Sequence, residues 1–133
     1  MRKIVFRGKR NDNGAWVYGD LLTNQKTPEI LAYKGLYSVI SDTIGQFTGL
    51  YDKYGKEIYE GDILSVLGCF TAKEMLTNFH VEYVEKKGAF GMLLEVGGFV
   101  SVASLFKIRG LETDVVITGN IYDNPELLSN NKK

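Results

Sequence analysis

Hydrophobic and polar positions alternate along this chain in short runs, each closed by a turn former, and no stretch before residue 124 sustains the roughly 3.6-residue repeat of an amphipathic helix. Residues 3–7 and 16–22 read as two strands joined by a turn-rich segment ending in Asn13 and Gly14. Both of these residues tolerate the positive φ that a tight reversal demands. Residues 29–33 and 36–40 flank Lys34 and Gly35 as a second hairpin. Asp52 and Gly55 stand at the first and fourth positions of a type I turn between residues 44–48 and Ile58. A further turn, Glu60-Gly61-Asp62, opens the β-type run 63–67.

The second half continues the pattern. Residues 79–84 alternate cleanly up to a turn at Lys86–Gly88, residues 90–96 and 99–102 flank Gly97 and Gly98, and 115–118 reads as a last buried strand. Helix is expected in two places only. Thr71 and Glu74 have the spacing of a capping box, which predicts a helical turn near 72–78. Asn124 followed by Pro125 predicts a short helix over 124–129, with residues 129–133 fraying. Short strands with turn signals about every 8 to 12 residues predict a mainly β fold, barrel-like or sandwich-like. A chain of 133 residues makes one domain, 1–133, with a seam near residue 55. The seam separates an N-terminal sheet region, 1–54, from a small C-terminal barrel, 55–128.

Composition narrows the function classes. The hydrophobic fraction of 44%, with 8 Tyr and 7 Phe, supplies a core without disulfides or a structural metal. Those aromatics also exceed what a small core requires, which predicts exposed patches and self-association. The single Cys, Cys69, cannot form an internal disulfide, and no run approaches the roughly 20 apolar residues of a membrane span. A cytoplasmic protein is expected. Lys and Arg balance Asp and Glu at 16 each, so no global footprint for nucleic acid exists.

Candidate chemistry is sparse. No phosphate-cradling glycine motif occurs, and no cofactor is expected. His80, the only histidine, lies in a strand pattern beside Glu82, and Cys69 sits between Gly68 and Phe70. Both read as structural. Glu57, Glu60 and Asp62 lie close enough in sequence to hold Mg²⁺ or run acid–base chemistry in a metal-dependent enzyme. Their neighbours favour turn-building instead, with Asp52, Gly55, Glu60, Gly61 and Asp62 as the turn residues. The basic start, Arg2, Lys3, Arg7, Lys9 and Arg10, could contact phosphates, with Trp16 or Tyr18 offering stacking. A strand edge guarded by cations explains it as well and is preferred.

The segment from Ile44 to Leu64 resembles the signature of the YopX family of phage and prophage proteins. Three further stretches match that family's pattern in order: Ile4–Arg7 with Trp16–Leu22, then Gly88–Gly91, then Ile117–Leu128. The resemblance implies a phage or prophage protein acting in a bacterial host. It also implies a C-terminal SH3-type roll, on which the N-terminal strand region packs. No established activity and no catalytic residues come with it. The combined expectation is a non-enzymatic binding or assembly module that self-associates or meets a phage or host protein. Weak nucleic-acid binding and metal-dependent catalysis are the alternatives.

Overall fold

The structure is a computed structural model describing residues 2–23, 26–67, 76–93, 98–108 and 111–129. It is mainly β, built from antiparallel sheets with a single short α-helix among the described residues. No helix among those residues is long and apolar enough to cross a membrane. The chain divides into two compact units, Met1–Gly49 and Leu50–Lys133.

The first unit contains β1 (Phe6–Lys9), β2 (Trp16–Leu22), β3 (Glu29–Ala32), β4 (Gly35–Ser38) and the first part of β5 (Gly45–Tyr51). They lie in the order β4-β3-β2-β1-β5. Gly14, at φ 73°, makes the first reversal, where the Gly14 N–H donates to Arg10 O at 3.0 Å. Just past β4 the chain turns back on the end of β1. Val39 bridges Arg10, Asn11 N–H donates to Ser38 O, and Ile40 N–H donates to Lys9 O. The sheet therefore curls, with one face inward. Ile30 and Val39 are fully buried there, and a Cβ on Gly8 would sit 3.1 Å from Val39 Cβ.

In the second unit the turn after β5 leads to β6 (Glu57–Tyr59) and β7 (Asp62–Leu67). The other strands are β8 (Leu76–His80), β9 (Glu82–Val84), β10 (Ala89–Leu93), β11 (Phe99–Ser101), β12 (Lys107–Ile108), β13 (Leu111–Glu112) and β14 (Asp114–Asn120), followed by α1 (Glu126–Ser129). They form the sheets β14-β7-β8 and β11-β10-β9 and the pair β12-β13. One core unites them: Ile58, Leu64, Val66, Val81, Met92, Val102, Leu105 and Val115 are all at most 4% exposed. Each such side chain contributes roughly 1.5–3 kcal/mol by leaving water.

Two expectations change. The helical turn near 72–78 is not present over 76–78, which belongs to β8 and pairs with β7 through Leu76↔Val66. Residues 71–75 lie outside the described residues. Pairing across a sheet satisfies these backbone groups better than a single isolated turn would, so the local capping signal loses. The basic residues of β1 also do not guard an edge, because β1 lies between β2 and β5.

Candidate functional site

Two groups of residues carried the chemistry expected from sequence, and the structure gives each a specific setting. In the signature segment, Asp52 is buried and its carboxylate organises the turn. Oδ1 accepts hydrogen bonds from the N–H groups of Tyr54 and Lys56, both at 2.9 Å. Oδ2 accepts from Ile117 N–H in β14 at 3.2 Å. Gly55 closes the turn at φ 80°, donating to Asp52 O. Lys53 N–H donates to Val115 O, and Lys53 Nζ reaches Asp114 Oδ2 at 3.2 Å, a hydrogen bond that raises the lysine pKa. The turn is thus stitched to β14.

The next turn is equally constrained. Gly61 has φ 88°, its N–H donates to Val81 O, and its carbonyl accepts from Ile121 N–H. Asp62, 2% exposed, accepts Tyr59 N–H on Oδ2 at 2.8 Å. The Tyr59 hydroxyl donates to Glu57 Oε1 at 3.0 Å, while Glu60 is half-buried. Ile58 and Ile63 anchor both turns with no exposed surface. Among the described residues no group of three His, Cys, Asp or Glu side chains is arranged to hold a metal ion.

The basic start is dispersed over aromatic rings. The Arg7 guanidinium, in a residue only 5% exposed, lies 4.6 Å from the Trp16 ring centre, and Lys9 Nζ lies 5.4 Å from the same ring. The cross-strand register Lys9↔Trp16 and Arg7↔Tyr18 places these four side chains on one face. Arg10 projects from the other face. It stacks 4.3 Å over Tyr37 and binds Asp12 through two hydrogen bonds of 2.9 and 2.6 Å, which lower the aspartate pKa. These residues line a shallow cleft of about 400 Å³ with Asn11, Leu36 and Ser38. Lys3 Nζ sits 5.8 Å over Phe47, and Arg2 is exposed. Each such cation–π contact is worth roughly 0.5–1 kcal/mol at exposed sites and about 2 when desolvated.

His80 is half-buried, with Nε2 3.0 Å from Glu82 Oε2. Cys69 lies outside the described residues. Sequence reasoning missed a polar cluster across the β14-β7-β8 sheet. Asn78 N–H donates to Ser65 Oγ at 3.0 Å, and Thr118 Oγ1 donates to Asn78 Oδ1 at 3.0 Å. Asn78 has φ 53°, a conformation asparagine tolerates better than most residues, so an Asn directly before the strand run 79–84 was the available signal.

The other missed feature is the outward face of β2, β3 and β4. The registers Asp20↔Leu31↔Leu36 and Leu22↔Glu29↔Ser38 define two rows, and Tyr18 adjoins them on the same face. Tyr18, Leu22, Leu31 and Leu36 are 46%, 37%, 48% and 49% exposed, and Tyr33 at the β3–β4 turn is fully exposed. The alternation of residues 16–22, 29–33 and 36–40 revealed the strands, but not which face would lack a cover.

A crystal structure of protein EF1440 from Enterococcus faecalis is similar in fold, with a TM-score of 0.60 and 24% sequence identity, over 96% of this chain and 99% of that one. No curated protein matches significantly. The family model described as YopX protein matches residues 5–129, nearly the whole chain, and together with the ordered motifs and the fold this places the chain in the YopX family.

Proposed function

We propose that this chain is a non-enzymatic binding or assembly module of phage or prophage origin, whose second unit is an SH3-type roll and whose first unit carries the docking face. The observation that carries the reading is the contiguous apolar face of β2–β4, where five large side chains stand exposed on neighbouring strands. Single exposed apolar residues are ordinary on a protein surface, whereas a contiguous group marks an interaction site. The turn geometry supports the same reading, because the carboxylates of Asp52 and Asp62 are committed to backbone N–H groups rather than to an open cleft.

Nucleic-acid binding has weaker support. Arg7 and Lys9 both lie against Trp16, the ring a base would stack on, and Arg10 is matched to Asp12. Phosphates would have to displace those contacts.

Affinity capture from host cells with the wild type and with Leu31→Ser/Leu36→Ser tests the proposal. Both leucines are about half exposed, so the double variant should lose only about 1–2 kcal/mol and stay folded. It is expected to lose the partner that the wild type retains. Undiminished capture by the double variant refutes the docking face. Binding of DNA or RNA tighter than about 10⁻⁶ M at physiological salt puts the nucleic-acid reading in its place.

A further inference from the structure

Asp20 stands among the exposed apolar side chains of the β2–β4 face. It is flanked along β2 by Tyr18 and Leu22 and lies directly across from Leu31, with Leu36 next in the row. The Asp20 carboxylate is exposed, and among the described residues it makes neither an ion pair nor a side-chain hydrogen bond. At strand spacings of about 4.8 Å, the row Asp20–Leu31–Leu36 is about 10 Å wide, so a partner seated on the leucines also covers the carboxylate.

Covering it has a chemical consequence. A carboxylate removed from water without a counter-charge opposes binding, whereas one met by a cation gains a strengthened interaction in the drier interface. The rows themselves hold no cation: Lys34 lies beyond them in the β3–β4 turn, and Arg10, which shares a cleft with Leu36, is paired with Asp12. Arg7 and Lys9 lie over Trp16 on the far side of Tyr18. The only other charged group in these rows is Glu29, paired across from Leu22, and it adds charge of the same sign.

We propose that the β2–β4 face recognises a protein segment presenting a lysine or arginine between apolar side chains, with the cation on Asp20 and the apolar groups on Tyr18, Leu31 and Leu36. This deepens the binding-module reading and rests on it. A second copy of the chain fits less well, because pairing row on row opposes Asp20 either to its own counterpart or to apolar neighbours, and the exposed Lys34 stands outside the rows, in the β3–β4 turn. Extended segments suit a face ruled by strands, since alternate side chains repeat at about 6.6 Å, the spacing of successive rows along β2.

The test is a titration of the ¹⁵N-labelled chain, followed by amide chemical shifts, with three blocked five-residue peptides. Their sequences are Leu-Ser-Lys-Ser-Leu (Leu–Lys), Leu-Ser-Glu-Ser-Leu (Leu–Glu) and Ser-Ser-Lys-Ser-Ser (Ser–Lys), so that in an extended peptide the first, third and fifth side chains share the face turned to the sheet. The Leu–Lys peptide is expected to shift amides of β2, β3 and β4 saturably, and the other two at least about tenfold more weakly. Asp20→Asn, at an exposed position, should weaken the Leu–Lys peptide about five- to tenfold, the range of one well-placed charge pair, and leave the spectrum otherwise unchanged. Equal binding of the Leu–Lys and Leu–Glu peptides, or no effect of Asp20→Asn, overturns the charge assignment while leaving the apolar docking face standing. Concentration-dependent shifts on β2–β4 without peptide, with a dimer mass by light scattering, overturn it in favour of a second copy. If no peptide binds and Leu31→Ser/Leu36→Ser still captures the wild-type partner, both this proposal and the docking face fail.

Discussion

Replacing Asp52 with Ala is expected to cost about 2–4 kcal/mol of stability. Three backbone N–H groups point at its carboxylate, and removing it leaves them without an acceptor. A hydrogen bond to a charged group is worth roughly 1.5–3 kcal/mol, and an orphaned buried donor costs roughly 1–3. The three do not simply add, because water can reach the N–H groups of Tyr54 and Lys56 in the exposed part of the turn. Ile117 N–H, half-buried within β14, has less recourse. Asp52→Asn should be milder, at about 1–2 kcal/mol, since the amide keeps one acceptor oxygen but presents a donor on its other arm. Urea unfolding of the three proteins measures this order directly. An Asp52→Ala variant within 0.5 kcal/mol of wild type would show that the turn stands without its carboxylate.

Gly61→Val should be comparably severe, at about 2–4 kcal/mol. The backbone at Gly61 has φ 88°, a conformation that costs an ordinary residue about 1–2 kcal/mol and a β-branched one more. A Cβ there would also stand 2.9 Å from the Tyr122 ring, and overpacking adds roughly 1–3 kcal/mol. Relief by backbone movement is blocked on both sides, because Gly61 N–H and C=O are bonded to Val81 and Ile121. Combining Gly61→Val with Tyr122→Ala separates the two contributions by a double-mutant cycle. The ring contact should be recovered and the strain should remain. Full recovery of stability in the double variant would mean that the positive φ carries no cost.

Turns proved the most legible part of this sequence, because their chemistry is local. Gly14, Gly55, Gly61 and Gly88 all have positive φ where a turn was expected, and Asp52 caps its own turn as its type and position suggested. The terminal helix was legible from Asn124 and Pro125 for the same reason. What depended on distant partners was not. Leu76 and its neighbours carry a local helix signal, yet they pair with β7, which no window of sequence displays. Arg7 looked like one of several surface cations, but its cross-strand neighbours and Trp16 make it buried. Period-two alternation likewise marks two faces for every strand and does not say which one is left open. Exposed patches were therefore expected only from the excess of Tyr and Phe, without a location, which covers Tyr18 in kind but not Leu31 or Leu36.

In the proposed function the signature segment builds the fold while recognition lies on the β2–β4 face. Thermal unfolding of Asp62→Ala, with partner capture measured well below its melting temperature, tests this most directly. Asp62 is buried and holds Tyr59 N–H, so its loss should cost about 1–2 kcal/mol, a fall in Tm of roughly 3–8 °C. Capture by the still-folded variant should equal that of wild type. A variant that melts like wild type yet loses its partner would contradict this division of roles, because the carboxylate would then serve recognition and not the turn.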